Sequence, residues 1–157
     1  MNGLAYYASP VGELEIQSQG EAIVLVGFLR SSKKPEHRTP IIDVCIQQLD
    51  EYFFRGRKSF DVKIELHGSE FQRNVWNRLS EIPFGKTTYY ADIALKVGDI
   101  NAVRAVGLAN GQNPIAIIVP CHRVIGKDGS LVGYGGGLER KVWLLRHEGA
   151  LNQLDLF

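Results

Sequence analysis

Residues 115–123, Ile-Ala-Ile-Ile-Val-Pro-Cys-His-Arg, constrain this chain more than any other stretch. The apolar run from Ile115 to Val119 reads as a buried strand. Pro120 ends it, because proline has no N–H to give to a ladder. Cys121, His122 and Arg123 then place a thiol, an imidazole and a guanidinium just past a rigid element. Adjacent residues on a strand point to opposite faces, so adjacency does not itself bring Cys121 against His122. Taken alone, the trio reads most simply as a buried cysteine followed by surface polar residues. The flanking sequence shifts that balance.

A chain of 157 residues can build one or two small cores. It opens with no basic segment leading into an apolar one, and no apolar run reaches bilayer length. With two cysteines and no export signal, the expectation is a cytoplasmic protein without disulfides or a membrane partner. Cys45 falls in a helical pattern and reads as a small core hydrophobe. The net charge of +1 does not itself point to nucleic acid. Residues 67–150 hold ten Lys/Arg against seven Asp/Glu, a weak positive footprint that permits DNA binding without demanding it.

Residues 4–9 and 13–18 read as strands around Pro10-Val11-Gly12, and residues 22–29 as a third, more central strand. A charged loop follows. Thr39 has the chemistry of an N-cap, with Pro40 in the first helical position. Ile42, Cys45, Leu49 and Tyr52 continue at helical spacing to a stop at Gly56. Phe60, Val62, Ile64 and Leu66 alternate as one more strand. Residues 1–66 therefore form a first domain, small and α+β, with no chemical constellation; His37 is expected to be only solvated.

Residues 67–150 form the expected second domain. Ser69 with Gln72 has capping-box spacing, and Phe71, Val75, Trp76 and Leu79 supply one helix face. Gly85-Lys86-Thr87 imitates a phosphate-binding loop, but Ser80 stands where that loop needs a glycine. Residues 90–97 read as a short helix ending at Gly98. Asn101 can cap a second, running from Ala102 to about Asn110. Helix, glycine turn and helix make the helix-turn-helix pattern. The second helix is rich in small residues (Ala102, Ala105, Gly107, Ala109), which suits tight packing on a neighbour or close approach to a DNA groove. Residues 138–147 are the last helix, with Leu138, Val142 and Leu145 inward. Glu148 then meets the unfavourable end of the helix dipole, which suggests another duty.

Taken together these stretches resemble the O6-alkylguanine-DNA alkyltransferases. The resemblance rests on Phe71-Gln72 with Val75-Trp76, Phe84-Gly85 with Tyr89-Tyr90, and Arg104-Ala105-Val106-Gly107. It continues through Asn113-Pro114, Pro120-Cys121-His122-Arg123-Val124, Gly136-Gly137-Leu138, and Trp143-Leu144-Leu145 with His147-Glu148-Gly149. It implies a ribonuclease H-like N-terminal domain with an antiparallel sheet and a C-terminal winged helix-turn-helix domain. It also implies a suicide repair enzyme that takes an alkyl group from O6-alkylguanine, and from O4-alkylthymine, in double-stranded DNA onto Cys121. His122 would be the base, oriented by Glu148. Tyr90 would help to flip the nucleotide and protonate the base, and Asn113 would brace the turn.

The same resemblance puts Ala102, Arg104, Ala105, Gly107 and Asn110 on the DNA-binding helix, in the minor groove, with Arg104 filling the gap left by the flipped base. Leu131, Tyr134, Gly135, Gly136 and Ala116 would line the substrate pocket. Gly135 stands where the family often has serine, Ala116 where some members have proline, and Asn110 and Gly111 replace bulkier residues, so a roomier pocket is expected. Arg123 is expected to give structural support. No cofactor is implied, and Cys45 with His37 is too little for a metal site. The protein is expected to be a monomer.

The last five residues, Gln153, Leu154, Asp155, Leu156 and Phe157, resemble the pentapeptide by which bacterial proteins dock on the DNA polymerase III beta sliding clamp. An alternative is that they pack on the protein's own surface. Other readings of the chain are a lesion binder, which would lack the reactive cysteine; a transcriptional regulator, which would need a cysteine-rich domain; and a cysteine hydrolase, which leaves the small-residue helix unexplained.

Overall fold

The computed structural model describes residues 2–127, 129, 134 and 136–151. The fold is α+β, and the chain divides into two compact units. One holds the residues up to His67 together with Pro114–Ile118; the other holds Gly68–Asn113 and the chain from Val119 onward.

In the first unit, β1 (Asn2–Ser9), β2 (Gly12–Gln19) and β3 (Ala22–Phe28) form an antiparallel meander in that order. Alternation on β2 buries Leu14, Ile16 and Ser18 on one face. Helix α1 (Pro40–Phe54) buries Ile42, Cys45, Leu49, Tyr52 and Phe53. Each such side chain contributes about 2 kcal/mol of burial. Thr39 precedes the helix as expected but does not cap it with its side chain. Its hydroxyl pairs instead with the buried Ser18 hydroxyl at 3.0 Å.

Two expected strands are not strands. Over residues 60–66 only Ile64 bridges, in parallel, to Ile23. The neighbouring backbone donors find a side chain, since Gln48 Oε1 accepts from the N–H groups of Asp61 and Val62 at 3.1 Å. The run 115–119 likewise makes isolated bridges instead of a strand, among them the parallel bridge of Ile115 to Val26. Val26 donates to Pro114 O at 3.0 Å and accepts from Ala116 N–H at 2.8 Å. The chain then turns: Ile118 N–H donates to the Ala116 carbonyl at 2.8 Å, and Ile117 takes φ +72°, which costs a β-branched residue about 1–2 kcal/mol. Ile117 is almost wholly buried, so apolar burial offsets the strain.

The second unit begins with α2 (Glu70–Leu79), closed by the full capping box of Ser69 and Gln72. Its buried face carries Val75, Trp76 and Leu79, and Trp76 Nε1 donates to Ala109 O at 2.8 Å. The two-residue strand β4 (Thr88–Tyr89) leads into α3 (Tyr90–Lys96). Gly98, at φ +99°, ends that helix region. Asn101 is not a cap: Asp99 accepts from its N–H at 2.9 Å and opens a 3₁₀ turn, Ile100–Ala102, before α4 (Val103–Gly111). Residues 121–123 form another 3₁₀ turn, followed by β5 (Val124–Ile125), which pairs in parallel with β4. Helix α5 (Leu138–His147) buries Lys141, Leu144 and Leu145, whereas Leu138, expected inward, is 56% exposed. No helix among the described residues is long and apolar enough to cross a membrane.

Candidate active site

The 3₁₀ turn buries Cys121, His122 and Arg123 together, so the reading of surface polar residues after the cysteine fails. A 3₁₀ turn, at three residues per turn, points consecutive side chains about 120° apart, so all three are buried because the turn itself is enclosed. The parallel pairing of β4 with β5 fixes where α3 starts, and so brings Tyr90 within electrostatic reach of Cys121.

Burial pushes the Cys121 thiol up to about 11; a hydrogen bond from the Asn113 side chain and the positive charge of Lys141 pull in the opposite direction. Asn113 Nδ2 also donates to Val119 O at 2.8 Å, which holds the turn. Asn110, expected among the DNA-binding residues, does not lie on the surface of α4. It is 1% exposed, and its Nδ2 donates to the Cys121 carbonyl at 3.2 Å. Position 110 shares a helix face with Val106 and Ala109, both buried. Its side chain also hydrogen-bonds the Tyr90 hydroxyl.

His122 is 0% exposed. Its Nε2–H donates to Glu148 Oε2 at 2.7 Å, which leaves Nδ1 as an acceptor, and Nδ1 meets no partner among the described residues. Arg123 grips the same carboxylate. Its Nε donates to Oε1 at 2.7 Å and its Nη2 to Oε2 at 3.0 Å, while Nη1 donates to Ile82 O at 2.7 Å. Burial alone would raise the Glu148 carboxyl; the hydrogen bonds and charges of His122 and Arg123 bring it down to about 2. The disfavoured acid at the end of α5 is thus an ionised partner for two buried side chains.

Lys141 was missed from the sequence. It is 0% exposed; its Nζ donates to Val124 O at 2.5 Å and lies 5.8 Å from the centre of the Tyr90 ring. Burial lowers its ammonium to about 8, against the attraction of Cys121. The signal was present, because 141, 144, 145 and 148 share the i, i+3, i+4, i+7 stripe of α5. A cation on an apolar stripe needs an internal partner.

Tyr134 is half-buried, and burial followed by the Cys121 charge raises its phenol. Gly136 lies in a turn just ahead of α5. Leu131 and Gly135 fall outside the described residues, as do Gln153, Leu154, Asp155, Leu156 and Phe157. Ala116 belongs to the first unit, where its N–H is held by Val26. Arg104 and Ala105 are exposed on α4, with Ala102 and Gly107 half-buried. A Cβ added at Gly107 would meet nothing within 4 Å, so internal packing does not require that glycine.

Comparisons with known proteins identify the family. The family model of the 6-O-methylguanine DNA methyltransferase DNA-binding domain matches residues 70–150, and that of the ribonuclease-like domain matches residues 4–66. Both describe one class of protein, the 6-O-methylguanine DNA methyltransferases, with a ribonuclease-like and a DNA-binding domain. The chain belongs to the 6-O-methylguanine DNA methyltransferase family.

The methylated-DNA–protein-cysteine methyltransferase of Methanosarcina acetivorans is 46% identical over 152 residues, 93% of this chain and 97% of that one. The Mycobacterium tuberculosis protein of the same name is 45% identical over 153 residues, 94% of this chain and 93% of its own length. The crystal structure of M. tuberculosis O6-methylguanine methyltransferase aligns with TM-score 0.86 and 42% identity, covering 99% of this chain and 98% of the other. The structure of M. tuberculosis OGT in complex with DNA aligns with TM-score 0.85 and 42% identity, covering 98% and 96%.

Proposed function

We propose that this protein repairs alkylated DNA by transferring the alkyl group of O6-alkylguanine, and of O4-alkylthymine, irreversibly to Cys121. The observation that carries the reading is the buried cluster of Cys121, His122 and ionised Glu148 in a unit that also presents a helix-turn-helix. Displacement at an sp³ carbon needs a soft nucleophile, and thiolate is the best a protein has. The resting thiol is neutral, so a base must take its proton as it reacts. His122 Nδ1 is the acceptor, held in that tautomer by Glu148. The resemblance implies a water between sulfur and imidazole to carry the proton. Lys141 and Asn113 favour the thiolate as it forms.

The S–C bond forms as the C–O6 bond breaks, and the electron pair stays on the purine. Tyr90 donates a proton to the purine and regains one from the imidazolium. The thiol proton therefore ends on the base, and the charges balance. The product is a thioether that no neighbouring group can cleave, so one molecule repairs one lesion. The alkyl group is unreachable in a stacked duplex, so the nucleotide is flipped out. The exposed small-residue face of α4 enters the minor groove, with Arg104 in the gap. The protein acts as a cytoplasmic monomer, and residues 153–157 dock on the sliding clamp; their deletion abolishes clamp binding and leaves alkyl transfer intact.

The test is mass measurement after incubation with duplex DNA containing O6-methylguanine. One added methyl on Cys121 is expected, absent in Cys121→Ser. An unmodified Cys121 beside a surviving lesion would overturn the reading.

A further inference from the structure

A buried histidine hydrogen-bonded to a carboxylate is normally drawn toward its charged form, because imidazolium and carboxylate attract. Here an arginine competes for that carboxylate. Glu148 is already engaged by Arg123 through two parallel N–H···O bonds, and Oε2 is shared between Arg123 Nη2 and His122 Nε2. All three side chains are sealed from solvent. Arginine does not give up its proton, and its planar fork fits a carboxylate in two places at once. The Arg123 charge therefore offsets part of the pull that Glu148 exerts on His122.

We propose that Arg123 is a positioning residue for the transfer reaction: by offsetting the pull of Glu148, it keeps His122 an uncharged imidazole that donates from Nε2 and accepts at Nδ1. The inference rests on the reading of His122 as the base for Cys121. The charged and titratable groups facing His122 are Glu148 and Lys141 near and on α5, with Arg123 and Cys121 on its own turn. Of these, only Glu148 draws His122 toward the charged form. The arginine and the lysine oppose it, and desolvation opposes it most. A third tie makes Arg123 a fixed strut as well: Nη1 donates to the Ile82 carbonyl, in the segment after α2, at 2.7 Å. The guanidinium also lies 5.8 Å from the centre of the Phe84 ring.

The consequence is chemical. An imidazolium at rest could accept no proton, and the thiol would have no base. A neutral imidazole leaves the thiol protonated until an alkylated base arrives, then takes the proton as the S–C bond forms. Arg123 never touches substrate in this account; it acts through Glu148 and His122.

The experiment uses the whole unmodified protein without DNA, labelled with ¹⁵N at its four histidines, and reads the ring nitrogens of His122 by NMR across pH 5–8. Wild type is expected to show a neutral Nε2–H tautomer at pH 7. Arg123→Gln keeps a donor but no charge, and is expected to show imidazolium at that pH. In a parallel single-turnover assay, its transfer rate at pH 7 falls about tenfold and the acid limb of its pH profile moves upward. Arg123→Lys restores the charge and is expected to restore the neutral ring.

Imidazolium in wild type at pH 7, or a neutral ring in a folded Arg123→Gln protein, overturns the proposal. Should Arg123→Gln not fold, Arg123→Met takes its place: imidazolium at pH 7 supports the proposal, and a neutral ring overturns it. The ring spectra need no alkyl transfer, so failure of the repair reading leaves them intact. A neutral His122 in a protein that transfers nothing would indict the reaction, not the charge balance.

Discussion

The carbonyl oxygen of Glu148 lies 3.1 Å from the point where a Cβ on Gly85 would stand. Gly85 also sits at φ +80°. The residue therefore meets two demands, a left-handed turn and close approach of a backbone that carries a site carboxylate. Gly85→Ala is expected to cost about 2 kcal/mol from both effects, lowering the melting temperature by about 6 °C. Transfer should slow as well, since the shift reaches Glu148. Calorimetry with a single-turnover assay checks this, and an unchanged melting temperature would show that the carbonyl gives way freely.

Lys141 sets stability against reactivity. Its ammonium is lowered from 10.5 to about 8, so the folded state pays for holding it charged below that pH. A depressed pKa contributes stability above 10.5 that is lost as pH falls through 8. Lys141→Met should therefore match or exceed wild-type stability at pH 7, with the difference shrinking as pH rises toward 10. The variant should also transfer alkyl groups about tenfold more slowly, because the sulfur anion loses a nearby cation. Denaturant midpoints at pH 7 and 10, with rates at pH 7, test both halves.

Acid should unfold the site through Glu148. Its carboxyl falls from 4.5 to about 2 on folding, so its contribution is complete above 4.5 and disappears as pH drops through 2. The shift corresponds to about 3 kcal/mol. Glu148→Gln should flatten the stability profile between these pH values. A profile as steep as wild type would mean that other carboxylates dominate acid unfolding.

Gly107 separates folding from DNA binding. A Cβ there meets nothing within 4 Å among the described residues, and glycine costs a helix about 1 kcal/mol. Gly107→Ala should stabilise the protein by roughly that amount. Gly107→Leu should fold equally well and yet lose affinity for duplex DNA by tenfold or more, because the exposed face of α4 becomes too bulky for the minor groove. Arg104→Ala should instead weaken flipping more than initial association. Equilibrium binding with a fluorescent base analogue opposite the lesion distinguishes the two.

Much of the fold was legible where one local rule acted alone. The meander followed from alternation, and α2 from the Ser69–Gln72 capping box. The misses lie where a distant group took over a local role. Residues 60–66 alternate like a strand, but the Gln48 side chain takes two of their backbone donors. The run 115–119 has strand composition, and nothing in it announces the positive φ of Ile117. Thr39 has cap chemistry that Ser18 diverts. In the site, the sequence supplied the cysteine, histidine and glutamate through a family pattern, while geometry supplied their surroundings. Lys141 and Asn110 were overlooked or misplaced because polar residues on a helix read as exposed. Only their spacing with buried neighbours shows otherwise.

Residues 114–118 carry one further consequence. Their backbone is fastened at Val26, and the residues on either side, Asn113 and Val119, are bound to each other. Five residues of fixed count thus lie between two flanks that are tied to each other. An ordinary loop tolerates a gained or lost residue, but this segment has no slack. A single insertion or deletion here would either unhook the chain from Val26 or part Asn113 from Val119.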